Sequence, residues 1–479
     1  MKSVAPTSPA AQAAALAGAS LVLGLLFDWL FFGNIPGVSF GLYVAAILGG
    51  LFALASYLKR PLPKTALWLL LPIGFFAAMV AVRASEMLAV LNIFATLLLL
   101  LLVARVALRD ELRAFNLLDY ARIPFLPFKF IAPLFRTLGD FFTPRSGATN
   151  RALTGQIIRG VLLALPVLIL LVTLLASADL VFQRYVTAAF SLNFDSETVG
   201  RIVLVSLVTL IFTGAYSYIF RARTEAPAAS SPVPASSAIG KVEMSILLGS
   251  VNTLFFLFIL VQLAYLFGGT SNRSSQGFTY AEYARKGFFE LLAVALVTFG
   301  MLWGADKYAA KSARGHSRKF KILSGILIAE VIMIMVSAFR RLYLYEQAFG
   351  FTELRLYSHV FVIFLAVIFV LLLIKILRNQ LENHFALPAF IAAILFLVGM
   401  NLLNPDAFIA RQNLDRFQQT GKLDASYIGS LSDDAHQEKL KTIDVASGAE
   451  KDKLIDSLDR RTMPLDWQSW NLSRSQAGR

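Results

Sequence analysis

Uninterrupted apolar runs of 17 to 25 residues alternate with short polar breaks as far as residue 403, and none shows the two-residue alternation of a half-buried strand. Runs of that length match the hydrocarbon thickness of a bilayer. Inside hydrocarbon the backbone can satisfy itself only as helices or a closed barrel, and continuous runs select helices. The pattern predicts an all-α polytopic transmembrane helix bundle of about eleven spans, near 14–32, 38–58, 65–82, 87–106, 160–178, 201–220, 243–267, 286–305, 322–340, 358–377 and 386–403.

The breaks organise the chain. Gly33-Asn34-Ile35-Pro36-Gly37 is short and rich in turn residues, so the first two spans form a tight hairpin. A Pro/Ala/Ser-rich linker at 226–240 separates a first membrane half, 1–225, from a second, 241–403. The stretch 107–155 mixes basic residues with Phe115, Tyr120, Phe125, Phe128, Phe130 and Phe135, which suits the headgroup region. Residues 404–479 lose the apolar run and predict a small helical C-terminal extramembrane module. Asn404-Pro405-Asp406 opens its first helix, Gly421 ends it, and Ser432-Asp433-Asp434 opens another. Trp467 and Trp470 supply an apolar surface by which this tail docks.

Composition removes soluble alternatives, because a chain of 479 residues that is 57% hydrophobic and 15% charged has too little polar surface for one globular core. The net charge of +14 lies in the loops, since the tail is nearly balanced, so nucleic acid is not the expected partner. With the N-terminus cytoplasmic, inner loops carry 23 Lys/Arg and outer loops 9, which puts the tail outside a bacterial cytoplasmic membrane. The inner basic loops, Lys307–Lys321 among them, would attract anionic lipid of the bilayer. The first run has no small-residue cleavage site after it and reads as an uncleaved span.

Chemistry is sparse. The chain has no cysteine and no phosphate loop, dinucleotide fingerprint, nucleophile elbow or His-Glu-x-x-His motif. No cofactor, metal or catalytic residue is expected, and the four histidines, His316, His359, His384 and His436, read as loop or headgroup residues. A charge at bilayer depth needs a partner or water, so Asp28, Glu290, Glu330 and Lys375 stand out. Glu330, Ser337 and Arg341 share one helix face, and Glu290 lies on the antiparallel neighbour; together they form a candidate intramembrane polar site or a structural ion pair. Asp28 reaches the outer interface and Lys375 snorkels to the inner one. Asn252, Gln262 and Tyr265 act as interhelical glue or line a cavity. A candidate outer-face cluster, Arg340, Tyr343, Tyr345, Glu346, Glu353, Arg355 and Tyr357, crowds the connection between the ninth and tenth spans.

Five strings, Pro36–Phe40, Tyr280–Leu291, Phe349–Tyr357, Asn404–Arg416 and Asp466–Arg474, together carry a resemblance. The chain resembles a bacterial multi-pass membrane family known only as a domain of unknown function, the related groups numbered forty-one fifty-three and forty-one seventy-three. That resemblance implies no activity, cofactor or catalytic residue. The expectation is a non-enzymatic envelope protein presenting outer loops and tail to a lipid or an unidentified protein partner. The alternative is an ion- or proton-coupled transporter or channel using the Glu290/Glu330/Arg341 region, and the third reading is a membrane enzyme acting on a lipid-linked substrate.

Overall fold

The computed structural model describes residues 8–108, 112–142, 196–221, 240–267, 288–309, 315–459 and 466–478. Among them there is no β-strand, and ten helices are long and apolar enough to cross a membrane. The expected span at 160–178 lies outside the described residues; the other ten expected spans each coincide with one of these helices.

In chain order, α1 (Pro9–Phe31) and α2 (Val38–Tyr57) form the first hairpin. The third span is a short α3 (Lys64–Trp68) running into α4 (Leu70–Val82), followed by α5 (Glu86–Leu108). The basic aromatic stretch then supplies α6 (Leu117–Ala121), the 3-10 segment Ile123–Phe130 and α7 (Ile131–Phe142). The remaining membrane helices are α8 (Ser196–Arg221), α9 (Lys241–Phe267), α10 (Phe288–Tyr308), α11 (Arg318–Phe349), α12 (Glu353–Arg378) and α13 (Asn383–Leu403). The tail adds α14 (Pro405–Thr420), α15 (Ala425–Ser430), α16 (His436–Val445), α17 (Gly448–Asp459) and α18 (Leu472–Ala477).

Buried apolar side chains fall into two large clusters. One joins α1 to α5, the 3-10 segment and α8, with Phe390, Ile394, Leu397 and Val398 of α13 packed against it. The other is built from α9 to α13. Many of the remaining large apolar side chains, such as Leu71 and Val297, are exposed on the bundle's outside, where lipid is the solvent.

Two ion-paired contacts fix the directions of α1 and α8. Arg201 reaches Asp28 at one end, while Arg221 reaches Asp140 and the Pro9 carbonyl at the other. The tail packs at the Asp28 end, opposite Pro9, where it touches the connections 32–37, 83–85 and 350–352. We call this the tail end and its opposite the far end. Helix α11, at 32 residues, is about 48 Å long, more than a ~30 Å hydrocarbon core needs, and its last turn meets Arg416 of the tail.

Candidate functional site at the junction of tail and bundle

The three residues Arg83–Ser85 between α4 and α5 are too few to satisfy both helix ends, which leave carbonyls at one terminus and amides at the other. The tail satisfies them. Asp434 accepts from the Ala84 and Ser85 amides at 3.0 and 3.1 Å. Asn471 donates to the Val80 and Arg83 carbonyls at 3.0 and 2.8 Å, and Ser473 donates to Val82 at 2.9 Å. Beneath this cap, Asn92 and Asn401 exchange two amide hydrogen bonds of 2.8 Å between α5 and α13.

The first hairpin is held in the same manner. Val38 donates its amide to the Trp470 carbonyl at 2.9 Å, and Ile35 donates to Ser469 Oγ at 3.1 Å. A Cβ on Gly37 would lie 2.5 Å from the Trp470 oxygen, so only glycine allows this backbone approach. Trp467 packs on Trp29 with centroids 5.4 Å apart, yet Trp467 and Trp470 stay about half exposed. The buried side chains of this strap are Ser469 and Asn471.

At the turn from α11 to α12, Asn413 both accepts from Phe351 N and donates to Phe351 O, at 2.8 and 2.9 Å. Arg416 donates to the Gln347 and Ala348 carbonyls at the end of α11. Gly350 has φ +86°, and its missing Cβ would meet Asn413 Oδ1 at 2.6 Å. Asn404, left-handed at φ 55°, caps α14, and the buried Asp406 accepts from Ser432 N at 3.1 Å. The Glu353 amide donates to the Tyr427 hydroxyl at 2.8 Å, and its carboxyl faces Asp406. Burial pushes the Tyr427 phenol up to about 12, with Glu353 and Asp406 adding to the rise.

The outer-face cluster is divided by this arrangement. Arg355 lies over the Tyr345 ring at 4.1 Å and donates to the Gly350 carbonyl. Glu346 is buried, its Oε1 3.2 Å from His359 Nδ1, close enough for an ion pair although off-axis for a hydrogen bond. Tyr357 adjoins Ser85, Glu353, Asp406 and Asp434. Arg340 and Tyr343 are exposed.

The intramembrane group is less assembled. Glu330 is buried with Oε2 lacking a partner among the described residues, Glu290 is exposed, and no ion pair joins Glu330 to Glu290 or Arg341. Eleven residues of helix are about 16 Å of rise, so Glu330 and Arg341 share a face without touching. Ser337 instead donates to Gln262 of α9 at 2.7 Å, and Asn252 donates to the Leu323 carbonyl, so both amides bridge α9 to α11.

Two ionic sites went unread in the sequence. At the far end Lys375 does not snorkel; it is buried and paired with Asp306, which also holds His316 Nε2 at 2.9 Å. His316 lies in the connection between α10 and α11 but is buried there and stacked on Phe320, not solvated; His359, on α12, is likewise buried. Asp28 pairs bidentately with Arg201. The acid and base of each pair lie 69 and 173 residues apart, and no spacing rule links them. Among the described residues no group of His, Asp and Glu could hold a metal ion.

Four of the five distinctive strings thus meet at the tail end; the fifth, Tyr280–Leu291, lies mostly outside the described residues. No characterised protein and no solved structure shows a significant match to the chain. Residues 70–441, the greater part of the chain, match the family described as a domain of unknown function, DUF4153, and the protein belongs to that family.

Proposed function

We propose that this is a non-enzymatic envelope protein of a bacterial cytoplasmic membrane, with N-terminus inside and tail outside. Its bundle serves as a rigid platform that presents the tail and the neighbouring connections to a lipid or protein partner. The observation that carries this reading is the capping of membrane-helix termini by tail side chains, Asp434 on Ala84 and Ser85 above all. A tail held through so many directional contacts is positioned, not merely tethered. The excess of basic residues in the far-end connections supports the orientation.

The test compares parent with Asp434→Ala/Asn471→Ala after purification from native membranes, with bound proteins and lipids identified by mass spectrometry. A stoichiometric companion that is present with the parent and lost with the undocked variant is the expected result. The same companion on both, or none on either, would overturn the platform reading. The buried Oε2 of Glu330, without a partner among the described residues, favours a second reading, a proton- or ion-coupled transporter. That reading requires pH-dependent flux in proteoliposomes that disappears in Glu330→Gln.

A further inference from the structure

Within the first membrane half lies a cavity of about 660 Å³, inside the ~300–1,000 Å³ range of ligand pockets. It runs from Asn34 and Pro36 at the tail end to Pro127 and Phe130 at the far end, between α1, α2, α5 and α8. Its walls are almost wholly hydrocarbon. The polar atoms that could have faced it are turned into the protein: Tyr43 donates to the Leu23 carbonyl, Tyr216 to the Ile47 carbonyl at 2.8 Å, and Asn34 to the Phe32 carbonyl. Water needs polar partners, so it has no reason to fill this space, while an empty void of this size would forfeit packing on every wall.

Two lining residues, Leu97 of α5 and Ile211 of α8, are also 48% and 49% exposed, which gives the cavity a lateral mouth toward the bilayer. At its far end the lining Pro127 and Phe130 flank the exposed Lys129, with exposed Arg122 at the start of the same 3-10 segment. Phe125 and Phe128 are 65% and 71% exposed beside them, as an interfacial anchor requires. We propose that this cavity is a binding site for one anionic phospholipid of the bilayer, an acyl chain lying between α1, α2, α5 and α8 and the headgroup meeting Lys129 and Arg122. This inference stands independently of what the tail does.

The test uses the full chain in phosphatidylcholine vesicles carrying a trace of phosphatidylglycerol with a photoreactive acyl chain, and maps the labelled peptides. Labelling concentrated in 44–51, 97–104 and 208–215, and displaced by unlabelled phosphatidylglycerol, is expected. Filling the cavity with Ala104→Phe should lower that labelling by roughly tenfold, what about two buried methylene groups are worth. Because a core substitution can impair folding, Lys129→Gln/Arg122→Gln provides a surface variant: phosphatidylglycerol should lose its advantage over an equally labelled phosphatidylcholine. Labelling spread evenly over outward positions such as Leu71 and Val297, unchanged by Ala104→Phe, would mean annular lipid only and overturn the proposal. So would efficient cross-linking of Leu97→Cys to a cysteine placed within 160–178, in this otherwise cysteine-free chain, because the cavity's occupant would then be the protein itself.

Discussion

The two ends of the bundle are closed by different parts of the chain. At the tail end, helix termini are closed by directional hydrogen bonds from a distant part of the chain, as with Asp434, Asn471 and Asn413. At the far end the contacts stay within the bundle and its own connections, with Asn379 accepting from His316 N and Asp306 between Lys375 and His316, while surrounding connections carry exposed basic and aromatic residues. Ion pairs occur at both ends, Arg201–Asp28 near the tail and Arg221–Asp140 opposite it. Directional bonds specify a geometry; exposed positive charge specifies a side of the membrane. Under the proposed function, recognition by shape would fall to the tail end, and topology and lipid contact to the far end.

The largest effect should come from breaking the far-end ion site. Asp306→Ala strands a lysine that is 3% exposed, and removing one partner of a buried pair costs about 3–5 kcal/mol. Thermal unfolding in detergent should shift strongly downward, whereas Asp306→Asn/Lys375→Met should recover much of the loss. An unchanged melting temperature in Asp306→Ala would show that Lys375 finds water and that the far end is not locked.

Asp434→Ala should act more locally. It leaves two buried amides unsatisfied, and a hydrogen bond to a charged acceptor is worth about 1.5–3 kcal/mol. The expected result is faster hydrogen exchange and proteolysis across 404–478 with little change in α9 to α13. Trp467→Ala should do less, because that ring is half exposed and its main neighbour is one other tryptophan, an aromatic pair worth about 0.5–1.5 kcal/mol. If Trp467→Ala loosens the tail more than Asp434→Ala does, the docking is apolar and the comparison drawn above is wrong.

What was legible in the sequence follows from range. The spans were legible because a continuous apolar run is a local signal, and so were the ends of α14, where Asn404-Pro405-Asp406 starts the helix and Gly421, at φ +69°, stops it. The site was half legible: the strings that carry the resemblance mark the junction, but nothing local says that Gly37 meets Trp470 or that Asn413 mimics a backbone partner for Phe351. Helical periodicity put Glu330 and Arg341 on one face, and eleven residues of rise set them about 16 Å apart along it. Burial of Lys375 was invisible for a different reason: a lysine near a helix end has the same sequence signature whether it snorkels or pairs.

The smallest predicted effect tests the junction's electrostatics through Tyr427. Its phenol is held neutral by burial and by the nearby Glu353 and Asp406, while the Glu353 amide that it accepts from and the Arg355 guanidinium act the other way. The net rise means that the folded state resists ionisation of this group more than the unfolded chain does. Its contribution to tail docking is thus fully present below the ordinary tyrosine value near 10 and is lost as pH rises through about 12. Proteolysis of the tail, followed with an alkali-tolerant protease, should be flat up to about pH 10 and then accelerate, and Tyr427→Phe should remove part of that acceleration at a small cost at neutral pH from the lost bond to Glu353. Should Tyr427→Phe leave the alkaline limb untouched, the phenol's neutrality does not hold the tail and this account of the junction's electrostatics fails.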